Sequence, residues 1–216
     1  MQLSIRRFIP AVAVVAVMIV TSSTLMAALL PPGGVVVPTA TGSPTGATLL
    51  QSTGAIPFAS LVDPSAYSGT LTSAVYTNDP GNSFGANRLT FTFLLSNNAN
   101  SRDAIERFVA NNYVGLQVDA AVNAAGGGRS PSTADRQATG ISIGFDYTNT
   151  LPIAPGTSST LLVLHTNATQ FVPVTNSIAN TFPAIVASLG PVVPEPATAS
   201  MIALGGLGLI ARRRSR

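Results

Sequence analysis

A serine hydrolase needs a histidine to take the serine proton, and this chain has one histidine, so any Ser-His-Asp relay must use His165. His165 sits beside Leu164 and Thr166 in an apolar run, where an imidazole packed or hydrogen-bonded inside a sheet is the expected outcome. No cysteine occurs, which removes thiol catalysis, disulfides and cysteine-ligated zinc together. A transition-metal centre would then rest on carboxylates and a single imidazole, too few ligands of the right kind. Calcium asks only for oxygens, and two loop clusters offer some: Asn78, Asp79 and Asn82, and separately Asp103 and Glu106. Neither has EF-hand spacing, and such side chains read first as Asx turns. Gly126, Gly127 and Gly128 suggest a phosphate cradle, but the chain contains no lysine. The P-loop pattern is therefore missing, and a hairpin loop is expected there.

Glycoside hydrolysis needs two carboxylates facing one cleft, and the acids here are scattered one to a loop or strand. Sugar binding by ring stacking would have to use Tyr67, Tyr76, Tyr113 or Tyr147, since tryptophan is absent. Asp135 with Arg136, and Asp103 with Arg102 and Arg107, read as surface ion pairs. Asn167-Ala168-Thr169 fits the N-glycosylation pattern, read here as a chance match. The pI near 10 misleads: six of the eleven arginines lie in the two ends of the chain. Between Leu29 and Val193 five arginines face seven acids, a net charge of −2, so no basic stripe is left to bind nucleic acid. The composition predicts no enzyme and no resident cofactor, with calcium the one ion to keep in view.

The elements that must position these residues have a period of two. In RLTFTFLLSN, Leu89, Phe91, Phe93 and Leu95 fall on one face while Thr90, Thr92 and Ser96 fall on the other, as a half-buried strand requires. GISIGFDY places Ile141, Ile143, Phe145 and Tyr147 together. In SSTLLVLHTNA, Leu162 and Leu164 oppose Leu161, Val163 and His165, so this strand is expected to be covered on both faces. Weaker strands are expected over 70–77, 105–110, 114–122, 171–176 and 182–186. SRDAIERFVANN has the face of a short helix, but its Val, Phe and Ile favour strand. Segments rich in Asn, Asp, Gly, Pro and Ser separate these runs at short spacing, which predicts an antiparallel β-sandwich, Ig-like or jelly-roll-like. The sandwich is assigned to residues 47–189, after a loose Pro/Gly/Thr-rich lead-in over 29–46 and before a linker, SLGPVVPEP.

Residues 1–28 have the layout of a signal peptide: Arg6 and Arg7, a ten-residue apolar run from Ala11 to Val20, then small residues with cleavage near Ala27 or Ala28. Sec export is the reading, with Arg6-Arg7-Phe8 leaving the twin-arginine route as the alternative. The other end, 190–216, holds Val193-Pro194-Glu195-Pro196-Ala197-Thr198, a fifteen-residue apolar run from Ala197 to Ala211, then Arg212, Arg213, Arg214 and Arg216. As a helix that run spans about 22 Å at ~1.5 Å per residue, short against a hydrocarbon core of ~30 Å. The arginines hold its end on the cytoplasmic side. Apolar helices are thus expected at both ends of the chain.

This ending resembles the PEP-CTERM sorting signal of bacterial surface proteins in all three parts, the VPEPAT motif, the short apolar helix and the arginine cluster. The resemblance implies recognition by an exosortase, an integral-membrane peptidase, and export to the cell surface or extracellular matrix, with the membrane engaged during sorting. The intervening chain also resembles secreted bacterial domains that carry this tail, through SGTLTSAVYTND, LTFTF, STADR and TSSTLLVLHTNATQF between Gly69 and Phe171. That resemblance implies a surface location and a β fold. A structural or interaction role is the expectation, and a carbohydrate-binding or calcium-dependent polymer-binding module, with extracellular polysaccharide as partner, the alternative.

Overall fold

The computed structural model describes residues 28–147 and 152–193. The signal peptide, the terminal apolar helices, Pro194, Glu195, Pro196, Ala197, Thr198 and the arginines from Arg212 to Arg216 lie outside the described residues. Among those described every regular element is a strand: β1 Ala28–Leu29, β2 Val35–Val36, β3 Thr39–Ala40, β4 Thr48–Ala59, β5 Ser68–Thr77, β6 Thr90–Asn97, β7 Arg107–Asn111, β8 Val118–Asn123, β9 Thr133–Arg136, β10 Ser142–Asp146, β11 Leu161–Thr166, β12 Phe171–Ala179 and β13 Pro183–Pro191.

They form two sheets. One runs β1-β8-β11-β6-β5-β4 with β3 also pairing β8, and the other runs β13-β12-β7-β10-β9-β2. All pairings are antiparallel except β3 with β8. Alternation builds the core: Phe91, Phe93 and Leu95 of β6, with Leu162 and Leu164 of β11, point at Phe108 of β7 and Ile143 and Phe145 of β10, all without solvent exposure. The Phe93 and Phe108 rings meet across the sheets at 5.0 Å. The sheets approach each other at one side, where Leu61 N donates to Pro183 O at 2.9 Å and Leu189 N to Ser73 Oγ at 3.2 Å.

Four expectations need correction. The lead-in is not loose: it supplies β1, β2 and β3, and Leu30 is fully buried. Nor does SLGPVVPEP begin as a linker, because Ser188 through Pro191 complete β13 and are buried. Val114 to Gln117 are not strand; β8 begins at Val118. Ile141 also leaves the inward row and stands 46 % exposed, one residue before β10 begins. The helical alternative at SRDAIERFVANN gives way to β7, as its β-branched and aromatic residues favour.

The chain direction places the loops at two ends. Residues 30–34, 78–89, 112–117, 137–141 and 167–170 gather at the end where β13 finishes, since Phe171 pairs with Pro191, Ser142 with Asn111 and Thr90 with His165. Residues 60–67, 98–106, 124–132 and 180–182 gather at the other. We call these the tail end and the far end.

Candidate functional site

The row His165, Thr90 and Asp119 crosses the outer face of the larger sheet, fixed by the register His165↔Thr90 and His165↔Asp119. A half-buried strand would leave this face to solvent. Here two loops, 41–47 and 78–84, roof it, so His165 is 0 % exposed, and Asp79, Asp119 and Ser43 are also buried. Asn123 Nδ2 donates to Ser43 O at 2.9 Å and holds the first loop down. Asn82 Nδ2 reaches Leu89 O and Thr90 Oγ1, both at 3.2 Å, and holds the second.

A serine, the histidine and an aspartate therefore do meet. Ser43 Oγ lies 3.0 Å from His165 Nε2, Asp79 Oδ2 lies 3.5 Å from the same nitrogen, and Ser43 Oγ donates to Asp79 Oδ2. A relay needs the serine on one ring nitrogen and the carboxylate on the other. Both groups here use Nε2, while Nδ1 is buried without a hydrogen-bond partner. The arrangement is a donor chain from Nε2–H through the Ser43 hydroxyl to the carboxylate, and it lacks the relay geometry.

Two carboxylates in this roof titrate in opposite senses. Burial alone would raise the Asp79 carboxyl, but hydrogen bonds from His165, Ser43, the Gly81 N–H and Thr90 outweigh it and hold the group down at about 2. Burial raises the Asp119 carboxyl, and the Ser83 hydroxyl and the charge of His165 only partly offset this. In the loop cluster of Asn78, Asp79 and Asn82, two of the side chains turn back on their own loop. Asp79 Oδ1 accepts from Gly81 N and Asn82 Oδ1 from Phe84 N, both at 3.0 Å, which are Asx turns. Asp103 pairs with Arg102 at 3.5 Å. Among the described residues no group of three or more His, Cys, Asp or Glu side chains could hold a metal ion.

Arg136 also departs from expectation, because it makes no ion pair with Asp135. It is buried, and its guanidinium donates to Tyr113 O at 2.6 Å, Leu116 O at 2.9 Å, Leu30 O at 3.2 Å and Gly140 O at 3.2 Å. One side chain thus ties the start of the fold to two tail-end loops. Burial lowers its pKa, opposed by the neighbouring Tyr113. Asp135 instead pairs with Arg107 at 2.7 Å, and Arg107 reaches Asp146 at 3.5 Å rather than Asp103. Arg102 bridges Asp63 at 3.0 Å on the surface of the far end.

Tyr67, Tyr113 and Tyr147 are core residues without exposure. Burial pushes the Tyr67 phenol up to about 12, and its hydroxyl donates to Phe182 O at 2.6 Å. Gly126 to Gly128 lie in a loop but not in the expected hairpin, because it joins β8 of one sheet to β9 of the other; Gly128 holds it close, where a Cβ would stand 2.2 Å from Ser159 O. Asn167 is used inside the fold: its Oδ1 accepts from Gln117 N at 3.0 Å.

Of the sorting residues, Val193 alone is described, two positions beyond β13, where Val192 N still donates to Gln170 O at 3.0 Å. The described residues thus form a mainly antiparallel two-sheet domain that runs without a spacer to Val193, the first residue of the C-terminal VPEPAT motif. The PEP-CTERM protein-sorting motif matches residues 192–215, and this motif indicates an exported protein associated with the cell envelope and sorted through an exosortase, a membrane protein. Comparison with curated proteins and with solved structures gives no match.

Proposed function

We propose that the protein is a structural or interaction element of the cell surface or extracellular matrix, without catalytic activity or a resident cofactor. Pro194, Glu195 and Pro196 serve recognition, Ala197 to Ala211 engage the membrane, and Arg212, Arg213, Arg214 and Arg216 orient the segment. The observation that supports a non-catalytic role is the use of the reactive side chains inside the fold: the single histidine and its serine and aspartate neighbours are all buried. Burial of three of the four tyrosines supports the same reading over a sugar-binding module that stacks on exposed rings.

The test of delivery is substitution of Glu195 and Pro196 by alanine in a host that carries the peptidase. Wild-type protein is expected in a shortened form outside the cell or on its surface, and the variant as a full-length, membrane-retained form. Unchanged size and location of the variant would overturn sorting through this motif.

A further inference from the structure

The end of β13 and the start of the apolar run are close in the chain, and this limits where the domain can sit. Five residues, 192–196, separate Pro191 from Ala197, a reach of about 20 Å at ~3.3–3.6 Å per residue when fully extended. Val192 is still hydrogen-bonded to Gln170, and Asn112 Nδ2 donates to Pro191 O at 2.6 Å, so part of that reach is spent against the fold. The headgroup layer of one leaflet takes up roughly 5–8 Å more. With the apolar run in the bilayer, the tail end is left within about one helix diameter of the headgroups.

The charge of the two ends differs in the sense such a placement needs. Asp63, Asp103 and Glu106 lie on the far end or at the strand starts that face it, and Asp146 closes β10 there, alongside Arg102, Arg107 and Arg129, so this end carries a net charge of −1. The tail-end loops hold one carboxylate, Asp79, and Asp119 stands beside them at the start of β8; both are buried. Their one cation outside the core is Arg88, whose guanidinium donates to Asn167 O at 3.1 Å and has no carboxylate partner. The remaining tail-end surface is Gly, Pro, Ala, Ser, Thr, Asn and Gln, with Phe84 and Val114 partly exposed and Ile141 half exposed. An anionic surface meets no exposed carboxylate there, whereas at the far end it would meet four partly exposed ones, offset by three arginines.

We propose that the tail end of the sandwich, through loops 78–89, 112–117 and 137–141, docks on the headgroups of the outer leaflet while the C-terminal segment is in the membrane. The domain then stands upright, with its ion-paired end outward, and presents Val193 and the residues after it at the membrane surface where an intramembrane peptidase works. This rests on the membrane role of Ala197 to Ala211 proposed above.

The absence of native cysteine makes the test direct. Full-length chains carrying Ala86→Cys, Ala138→Cys, Asn100→Cys or Ile202→Cys are labelled with a fluorophore and reconstituted in equimolar phosphatidylcholine and phosphatidylglycerol vesicles. Positions 86, 100 and 138 are exposed in the fold, so the labels leave the core intact. A nitroxide on the lipid headgroup is expected to quench labels at 86 and 138 several-fold more than at 100, and a nitroxide in mid-chain to quench the label at 202. Quenching at 202 with no difference among 86, 138 and 100 would overturn docking and leave the membrane segment standing. No quenching at 202 would overturn both. Adding Gln117→Glu and Thr139→Glu is expected to reduce quenching at 86 on these vesicles but not on phosphatidylcholine alone; equal quenching on both would overturn the role assigned to charge.

Discussion

The two ends of the sandwich use the same kinds of residue in opposite ways. At the far end Arg102 stands in solvent between Asp63 and Asp103. At the tail end Arg136, Asp79, Asp119 and His165 are enclosed, and each is held by specific polar atoms. A charge in water loses little when its partner goes, because solvent replaces the partner. A buried one has no substitute. The tail end therefore carries the stability of the polar network and the far end carries surface charge. This division leaves the face next to the sorting signal nearly uncharged.

Arg136 gives the largest expected effect. Arg136→Met keeps much of the volume but leaves the carbonyls of Leu30, Leu116 and Gly140 without their guanidinium donor and Tyr113 O with only the Leu116 N–H. Each buried acceptor left unmatched costs about 1–3 kcal/mol, which outweighs the relief from no longer burying a cation. A loss of at least ~3 kcal/mol is expected in urea unfolding of residues 28–193. A loss under ~1 kcal/mol would show that the enclosed end is no more sensitive than the exposed one.

Much of the β architecture was legible, and the polar interior was not, for a common reason. Phe91, Phe93, Leu95, Leu162 and Leu164 declare an inward face by alternation alone, and the loops between them declare themselves by composition. Alternation says which residues share a face, but not whether that face is wet. Thr90 and Thr92 read as the solvated side, yet both are buried because two loops distant in sequence cover them. His165 in an apolar run, and Asp119 inside VDAAV, were the local signals of that cover. Ser43 gave none, since a Pro/Gly-rich stretch looks the same whether loose or pinned. β4 was missed for the opposite reason. It is an edge strand, mostly exposed, with two register shifts against β5, so Gly54 and Pro57 masked its period. Arg136 beside Asp135 looked like a neighbourly pair, but successive strand residues point to opposite faces. The sorting motif was fully legible because its recognition resides in the chain itself.

The two enclosed carboxylates sharpen the comparison through pH. Asp79 is held at about 2 against an ordinary 3.8. A depressed carboxyl contributes stability above its unfolded value, and loses it as pH falls through the folded one. Asp79→Asn should therefore cost ~2 kcal/mol at pH 7 and little near pH 2. Asp119 is raised by burial, so its ionised form opposes folding, and acidification relieves that cost. Asp119→Asn should gain stability at neutral pH and converge on the parent in acid. Urea midpoints at pH 7 and pH 2 separate the two, and parallel shifts in both variants would show that neither group titrates as its surroundings require.

The smallest effect belongs to the far end. Asp63 is lowered by hydrogen bonds from the Ser65 hydroxyl and backbone and then by Arg102, and the pair stands at the surface. Arg102→Ala removes two ion pairs at once, yet its partners stay hydrated and the Ser65 contacts to Asp63 remain. No resolvable shift in the unfolding midpoint is expected at physiological ionic strength, where such charges are screened. A midpoint shift comparable to that of Arg136→Met would mean that the far-end ion pairs brace the loops around them, and the division between a stabilising end and a charged end would fail.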